Sequence, residues 1–237
     1  MATPVFDASI EKIYGDTLAL STTAQYLRFP HEYQRADLFC TGDFKLLLNP
    51  LIQSVLYYDA SADSYTDYTD YSRDGDSSTH VPLDAMATTD ILYLGFEDPV
   101  AGLYFDMGSN VNSNSATLDV EYYNGSWTDV SGDSDGTASG GATLAKDGAY
   151  TWTLPTDWVT YTVSSVRELY WIRFKPSAQL SATVDVNEIL TINQNTKYGY
   201  RFGNMLYSIT INNQKVGALQ VLAVQGTPTL YYEWQKA

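Results

Sequence analysis

The chain is expected to be all-β, an antiparallel β-sandwich of jelly-roll-like character with room for two packed β subdomains. Short apolar runs recur between turn signals along its 237 residues. Helical periodicity is almost absent. Aromatic side chains, which favour pleated and half-buried surfaces, are abundant, with 20 Tyr and 5 Trp. With 44% hydrophobic and only 17% charged residues, global disorder is excluded.

Taken in order, residues 6–19 hold at most a short helical turn, because Gly15 interrupts them. Residues 36–40 read as a strand that buries Cys40 as a structural thiol. Residues 44–48 stop at Asn49-Pro50 and a second strand follows over 51–58, so the two form a hairpin or a bent strand. Residues 59–76 alternate Asp and Ser with Tyr65, Tyr68 and Tyr71 and read as an acidic loop with room for one edge strand. Residues 91–96 make a strand, 97–99 a turn, and 102–107 its neighbour. Residues 118–123 alternate with period two, as a half-solvated strand does. Asn124-Gly125 is the strongest hairpin signal in the chain, with residues 126–130 returning antiparallel. Residues 131–148, rich in Gly, Ser and Asp, read as a mobile loop. Strands are expected at 150–153, 161–163, 169–174, 182–192, 205–211, 215–224 and 229–234. The expected organisation is an N-terminal arm and β region over 1–85, a central sandwich module over 86–192, and C-terminal strands over 193–237 that pack with the N-terminal region.

Composition narrows the function. The net charge is −15, with no cluster of Lys and Arg, so nucleic acid is not an expected partner. Residues 1–192 carry 27 acidic against 9 basic side chains, whereas 193–237 carry four basic residues against Glu233, an asymmetry that suits head-to-tail packing of copies. A single cysteine excludes an intramolecular disulfide, and Cys40, His31 and His80 offer neither a metal cluster nor a catalytic pair. The N-terminal residues lack a secretory pattern and no run approaches the roughly 20 apolar residues of a membrane helix, so a soluble product of a cytoplasm is expected, with no membrane partner.

No catalytic residues are expected. Asp119 and Glu121 share one strand face, but alternating acids on a solvated face account for them, and no nucleophile elbow, phosphate loop, dinucleotide fingerprint or zinc-protease helix motif occurs. Residues 131–136 imitate the opening of a calcium loop, yet its twelfth position is Ala142, so neither metal nor cofactor is assigned. Tyr123, Trp127 and Trp158, flanked by Asn124, Asp129 and Asp157, are the candidates for sugar or surface contact.

Residues 90–96, Pro99, residues 102–106 and 120–127, continued by 152–158 and 170–174, resemble a module of tailed-bacteriophage virion proteins, with Tyr123 where a Trp is expected. The resemblance covers about a third of the chain and implies a β-sandwich of capsid-associated, tail or baseplate proteins. Within it, Gly95 and Gly102 let the chain bend or let a large ring lie over the backbone, Pro155 with Trp158 can cap the open end of the sandwich, and Arg173, on an apolar strand, needs Asp119, Glu121 or Glu168 as partner if buried. The implied function is that of a non-enzymatic virion protein, foremost a capsid decoration (cement) protein; the alternatives are a tail, neck or baseplate component and a carbohydrate- or receptor-binding module. The implied partners are the major capsid protein or other virion proteins and further copies of the chain. The expected interface residues are Phe6, Ile10 and Tyr14 in the arm, and Lys197, Arg201, Lys215 and Trp234 near the C-terminus.

Overall fold

The computed structural model describes residues 16–23, 25–28, 35–74, 76–166, 168–192, 199–210 and 216–235. Phe6, Ile10, Tyr14, His31, Lys197 and Lys215 lie outside the described residues. The chain forms two compact units: the first combines Met1–Asn49 with Asn195–Ala237, and the second is the intervening Pro50–Gln194.

The first unit begins with β1 (Asp16–Ala19), β2 (Gln25–Arg28), β3 (Arg35–Cys40) and β4 (Phe44–Pro50). The second unit follows with β5 (Ser54–Asp59), β6 (Ser64–Asp67), a single helical turn α1 (Tyr71–Asp74), β7 (Val81–Pro82) and β8 (Ile91–Phe96). It continues with β9 (Gly102–Met107), β10 (Leu118–Tyr123), β11 (Trp127–Asp129), β12 (Ser131–Asp135) and β13 (Gly148–Thr153). It ends with β14 (Thr160–Tyr161), β15 (Leu169–Pro176) and β16 (Asp185–Ile192). The chain returns to the first unit as β17 (Gly199–Arg201), β18 (Leu206–Thr210), β19 (Val216–Ala223) and β20 (Thr229–Gln235).

The fold is all-β and its ladders are antiparallel. In the first unit one sheet runs β1-β20-β3-β18 and the other β17-β4-β19-β2. Their shared core holds Leu20, Leu38, Cys40, Phe44, Leu219, Val221 and Leu230. Burial raises the Cys40 thiol pKa, as befits a structural thiol. The C-terminal strand β20 pairs with both β1 and β3, so the two ends of the chain build one sheet.

The second unit is a sandwich. Its larger sheet runs β11-β10-β15-β8-β5-β6, with β14 also paired to β15, and its smaller sheet runs β12-β13-β9-β16-β7. Inward residues alternate along each strand, as period-two patterning requires. Leu92, Leu94 and Phe96 from β8, Val120 and Tyr122 from β10, and Ile172 and Phe174 from β15 meet Leu103 and Phe105 from β9 and Tyr150 and Trp152 from β13. Phe174 stands edge-on to Phe105 and Tyr150 at 5.8 and 5.7 Å, the geometry that ring quadrupoles favour.

Several expectations change here. Residues 54–59, expected within an N-terminal region ending near 85, are the β5 strand of the second unit and pair with β8. Chain contacts divide at Asn49 and Pro50 instead of near residues 83–90. β4 and β5 therefore form neither a hairpin nor a bent strand; Asn49-Pro50 is where the chain passes from one unit to the other. β8 and β9 lie in opposite sheets, so the turn at 97–99 is a crossing and not a hairpin. The segment expected to be a mobile loop opens with β12, which pairs with β13 through an irregular register between Ser131 and Ser134. The acidic stretch of 59–76 holds the edge strand β6 together with α1.

Candidate functional site

The larger sheet of the second unit also presents an outward face, and the register places its residues in rows. Tyr93 lies opposite Arg173 and Arg173 opposite Glu121, while Tyr58 pairs with Tyr65 on the neighbouring row. On the same face Trp171 is completely buried, packed with Leu56, Val163 and Leu169 in a small second core outside the sandwich. Gly95 makes this possible. A methyl group there would come within 2.7 Å of a Leu169 methyl and 3.0 Å of the Trp171 ring, so the indole occupies the space of a missing side chain. The Trp171 Nε1–H donates to the Tyr161 carbonyl at 2.8 Å and ties down the strand β14.

Beside this small core the aromatic rings form an unbroken row. Tyr58 and Tyr65 are 4.8 Å apart, Tyr65 and Tyr93 6.1 Å, Tyr93 and Trp127 5.6 Å, and Trp127 and Tyr123 5.4 Å. Tyr123 stacks on Tyr161 at 4.1 Å. Tyr65 is 42% exposed and Tyr161 39% exposed. The row therefore reaches from β6 at one edge of the sheet to β11 at the other.

Under the row lies an ion triad. Arg173 donates two hydrogen bonds to Glu121, at 2.7 and 2.9 Å, and the Lys175 ammonium sits 2.8 Å from the same carboxylate and 3.4 Å from Asp119. Burial alone would raise the Glu121 pKa, but the bonds from Arg173 and Lys175 outweigh it and hold the carboxyl below its ordinary range. Desolvation works against the Arg173 charge, but the Glu121 bond and charge together with Tyr93 outweigh it and hold the guanidinium more firmly protonated. The Arg173 guanidinium lies 4.6 Å from the centre of the Trp127 ring, which fixes the indole over a planar cation. At the β5–β6 end of the same unit, Ser54, Asp67, Thr69, Asp70, Tyr71 and Val166 line an open depression of about 500 Å³.

Two of the three expected surface aromatics, Tyr123 and Trp127, thus come together. Trp158 does not join them. It is 7% exposed and packs inside the sandwich against Phe96, Tyr122 and Tyr170 at 6.0–6.4 Å. Its neighbour Asp157 stays outside, where it accepts from the Tyr122 hydroxyl and the Asn124 amide. Sequence reading missed Tyr58, Tyr65, Tyr93 and Tyr161, which reach this face from four other strands. Of Arg173's possible partners, the structure selects Glu121.

A second surface belongs to the first unit. Between β17 and β18, Phe202 is 62% exposed, and Met205 and the first residue of β18, Leu206, are each more than half exposed. The Tyr207 hydroxyl accepts from the Phe202 backbone N–H at 2.8 Å, and Arg201 lies 5.4 Å over the Tyr207 ring. Leu46, Leu47, Leu48, Arg201 and Ile209 line an open groove of about 280 Å³ in this unit. Arg201 is thus the one basic interface candidate among the described residues. Trp234 is half-buried at the edge of the first core, 5.4 Å from Tyr232.

Among the described residues, no group of three or more His, Cys, Asp or Glu side chains is placed to hold a metal ion. Of the acids in the calcium-like stretch, Asp133 accepts from the Tyr150 hydroxyl at 2.6 Å and Asp135 from the Thr137 backbone N–H at 2.8 Å. No described helix is long and apolar enough to cross a membrane. No protein-family model matches the chain, and no curated protein matches its sequence.

Proposed function

We propose that this chain is a non-enzymatic structural protein of a tailed-phage particle, acting as a capsid decoration protein that joins shell subunits through the first unit. The observation that carries the reading is an unequal division of charge and apolar surface. Residues 50–194 hold 21 acidic against 5 basic side chains, a net −16, whereas the remaining residues hold 7 against 8, a net +1. The nearly neutral unit is the one that exposes Phe202, Met205 and Leu206 within five residues. Large exposed apolar side chains so close together mark an association surface. Like charge opposes packing of the second unit against its own copies, while the first unit meets no such repulsion. A decoration protein acts by area, with many modest contacts multiplied by the symmetry of the shell.

The test combines shell binding with self-association. Purified protein is expected to bind assembled shells and raise their thermal rupture temperature. The double substitution Phe202→Asp and Leu206→Asp is expected to abolish both effects while leaving the melting of the free protein unchanged. Closed rings in free solution, with no affinity for shells, would instead point to a tail or neck position. Retention of shell binding by the double variant would remove the first unit's apolar surface from the account.

A further inference from the structure

The aromatic row on the second unit is independent of that apolar surface and calls for a different ligand. We infer that the outward face of the larger sheet is a binding site for a neutral, pyranose-containing polysaccharide.

Four observations lead there. First, the rings are held in place before any ligand arrives. Arg173 is clamped by two bonds to Glu121 and covers one face of the Trp127 indole at 4.6 Å. Trp127 is nonetheless only partly buried. A ring fixed in this way loses little conformational freedom on binding. Second, exposed ring surface occurs at both ends of the row, on Tyr65 and Tyr161, so the face suits an extended ligand instead of a single compact one. The contacts through Tyr93 and Trp127 put the Tyr65 and Tyr161 rings no more than about 18 Å apart, the length of a few sugar units.

Third, the two described cations on this face, Arg173 and Lys175, are already satisfied. Both are paired with Glu121, and Lys175 also with Asp119, so among the described residues there an anionic polymer or lipid headgroup finds no unpaired positive charge. The net −16 of the unit repels anions further. A neutral ligand meets no such penalty. Fourth, hydrogen-bonding groups flank the rings. Asp119 and Asp129 are exposed beside Glu121 and Trp127, and the depression lined by Ser54 and Val166, next to the Trp171 cluster, offers Asp67, Thr69 and Asp70 with the exposed ring of Tyr71. Its volume of about 500 Å³ falls within the range of small-ligand sites. A pyranose presents C–H groups on its faces and hydroxyls around its rim. Rings edged by carboxylate acceptors match that division.

The test uses the full chain against a panel of soluble neutral polysaccharides (glucans, mannans, galactans) and bacterial cell-wall glycans, read by affinity electrophoresis and by Trp fluorescence. Retention by at least one neutral glycan is expected. Tyr161→Ala and Tyr65→Ala, each an exposed ring, are expected to weaken it roughly tenfold, the effect of one interfacial anchor residue. Trp127→Phe is expected to remove most of the ligand-induced fluorescence change, since Trp152, Trp158 and Trp171 are buried and Trp234 belongs to the first unit. Melting curves of every variant separate lost binding from lost folding. No retention of folded wild-type protein by any glycan on the panel would overturn the proposal. So would equal retention by the Tyr65→Ala/Tyr161→Ala double variant, or binding confined to basic proteins. Loss of glycan binding with shell binding intact would show that the two surfaces act separately.

Discussion

Trp158 and Trp171 are both buried, yet they serve opposite faces of one sheet. Trp158 descends from the loop after Pro155 into the space between the two sheets, touching Phe96, Tyr122 and Tyr170. Trp171 points outward and is closed over by Val163 and Leu169. The run from Pro155 to Trp158 reads either as a surface contact or as a cap on the sandwich, and the local residues do not choose between the two. What buries the ring is the company of Phe96, Tyr122 and Tyr170, which come from three separate strands. The consequence is measurable. Trp158→Ala is expected to cost about 4 kcal/mol of stability, as for a large ring removed from a core, and to lower the melting temperature without altering glycan retention. If the site lay at the surface, the change would stay within about 0.5 kcal/mol. The glycines inside strands were half legible: such a residue signals a bend or a close approach, and at Gly95 it is the Trp171 ring that approaches, whereas at Gly102 it is the backbone of Tyr150 and Thr151.

Among elements, the local signals held where the partner is adjacent in sequence. Asn124-Gly125 closes the β10–β11 hairpin with Tyr123 opposite Trp127, and Gly125 adopts φ +109°, a conformation that costs glycine little. They failed where partners are remote. β12 lacks any apolar residue, and it is a strand because β13 supplies the ladder. β8 and β9 look like a hairpin but separate into two sheets, because the apolar residues of both must face the same core. The cross-strand triad of Glu121, Arg173 and Lys175 belongs to this scale, since it links β10 to β15. Glu121 has a pKa below its ordinary 4.5 in the folded protein, so its contribution is complete above that value and is lost as the pH falls through the lowered folded value. Glu121→Gln is therefore expected to destabilise by about 2 kcal/mol at neutral pH, the worth of a hydrogen-bonded charge. The gap between variant and wild type should close as the pH falls well below 4. Urea denaturation at several pH values checks this, and a gap that persists at pH 2 would deny the triad its role.

For the whole molecule, the all-β antiparallel character was plain from short runs and turn residues, but the arrangement of units was not. That the C-terminal strands pack with the N-terminal region was expected, but which strands pair cannot be read from periodicity, because β3 and β20 carry no mark that identifies each other. Strand ladders of this kind are specified by the complete core, and in the first unit that core draws on both termini of the described chain. The asymmetry of charge between the units was partly visible as an acidic body with a mildly basic C-terminal segment. Its meaning sharpened once residues 16–49 and 199–235 proved to share a unit.

That discontinuity imposes an order in time. Cys40 pairs with Leu230, 190 positions further along, so β3 cannot complete its sheet until β20 has been synthesised. At about 5–20 residues per second the ribosome takes roughly 10–40 s to cover that distance. The second unit, whose strands are contiguous in sequence, has everything it needs much sooner. The N-terminal strands thus wait while a finished sandwich forms downstream of them. A chain ending after Val224 lacks β20 and is expected to keep a protease-resistant core spanning residues 50–194 while the flanking strands are digested; mass spectrometry of the limited-proteolysis products reads the result. Complete digestion would mean that the inserted sandwich depends on its host. The same timing makes the N-terminal strands, with β3 unpaired until β18 and β20 have emerged, the segment most exposed to pairing with a neighbouring nascent chain.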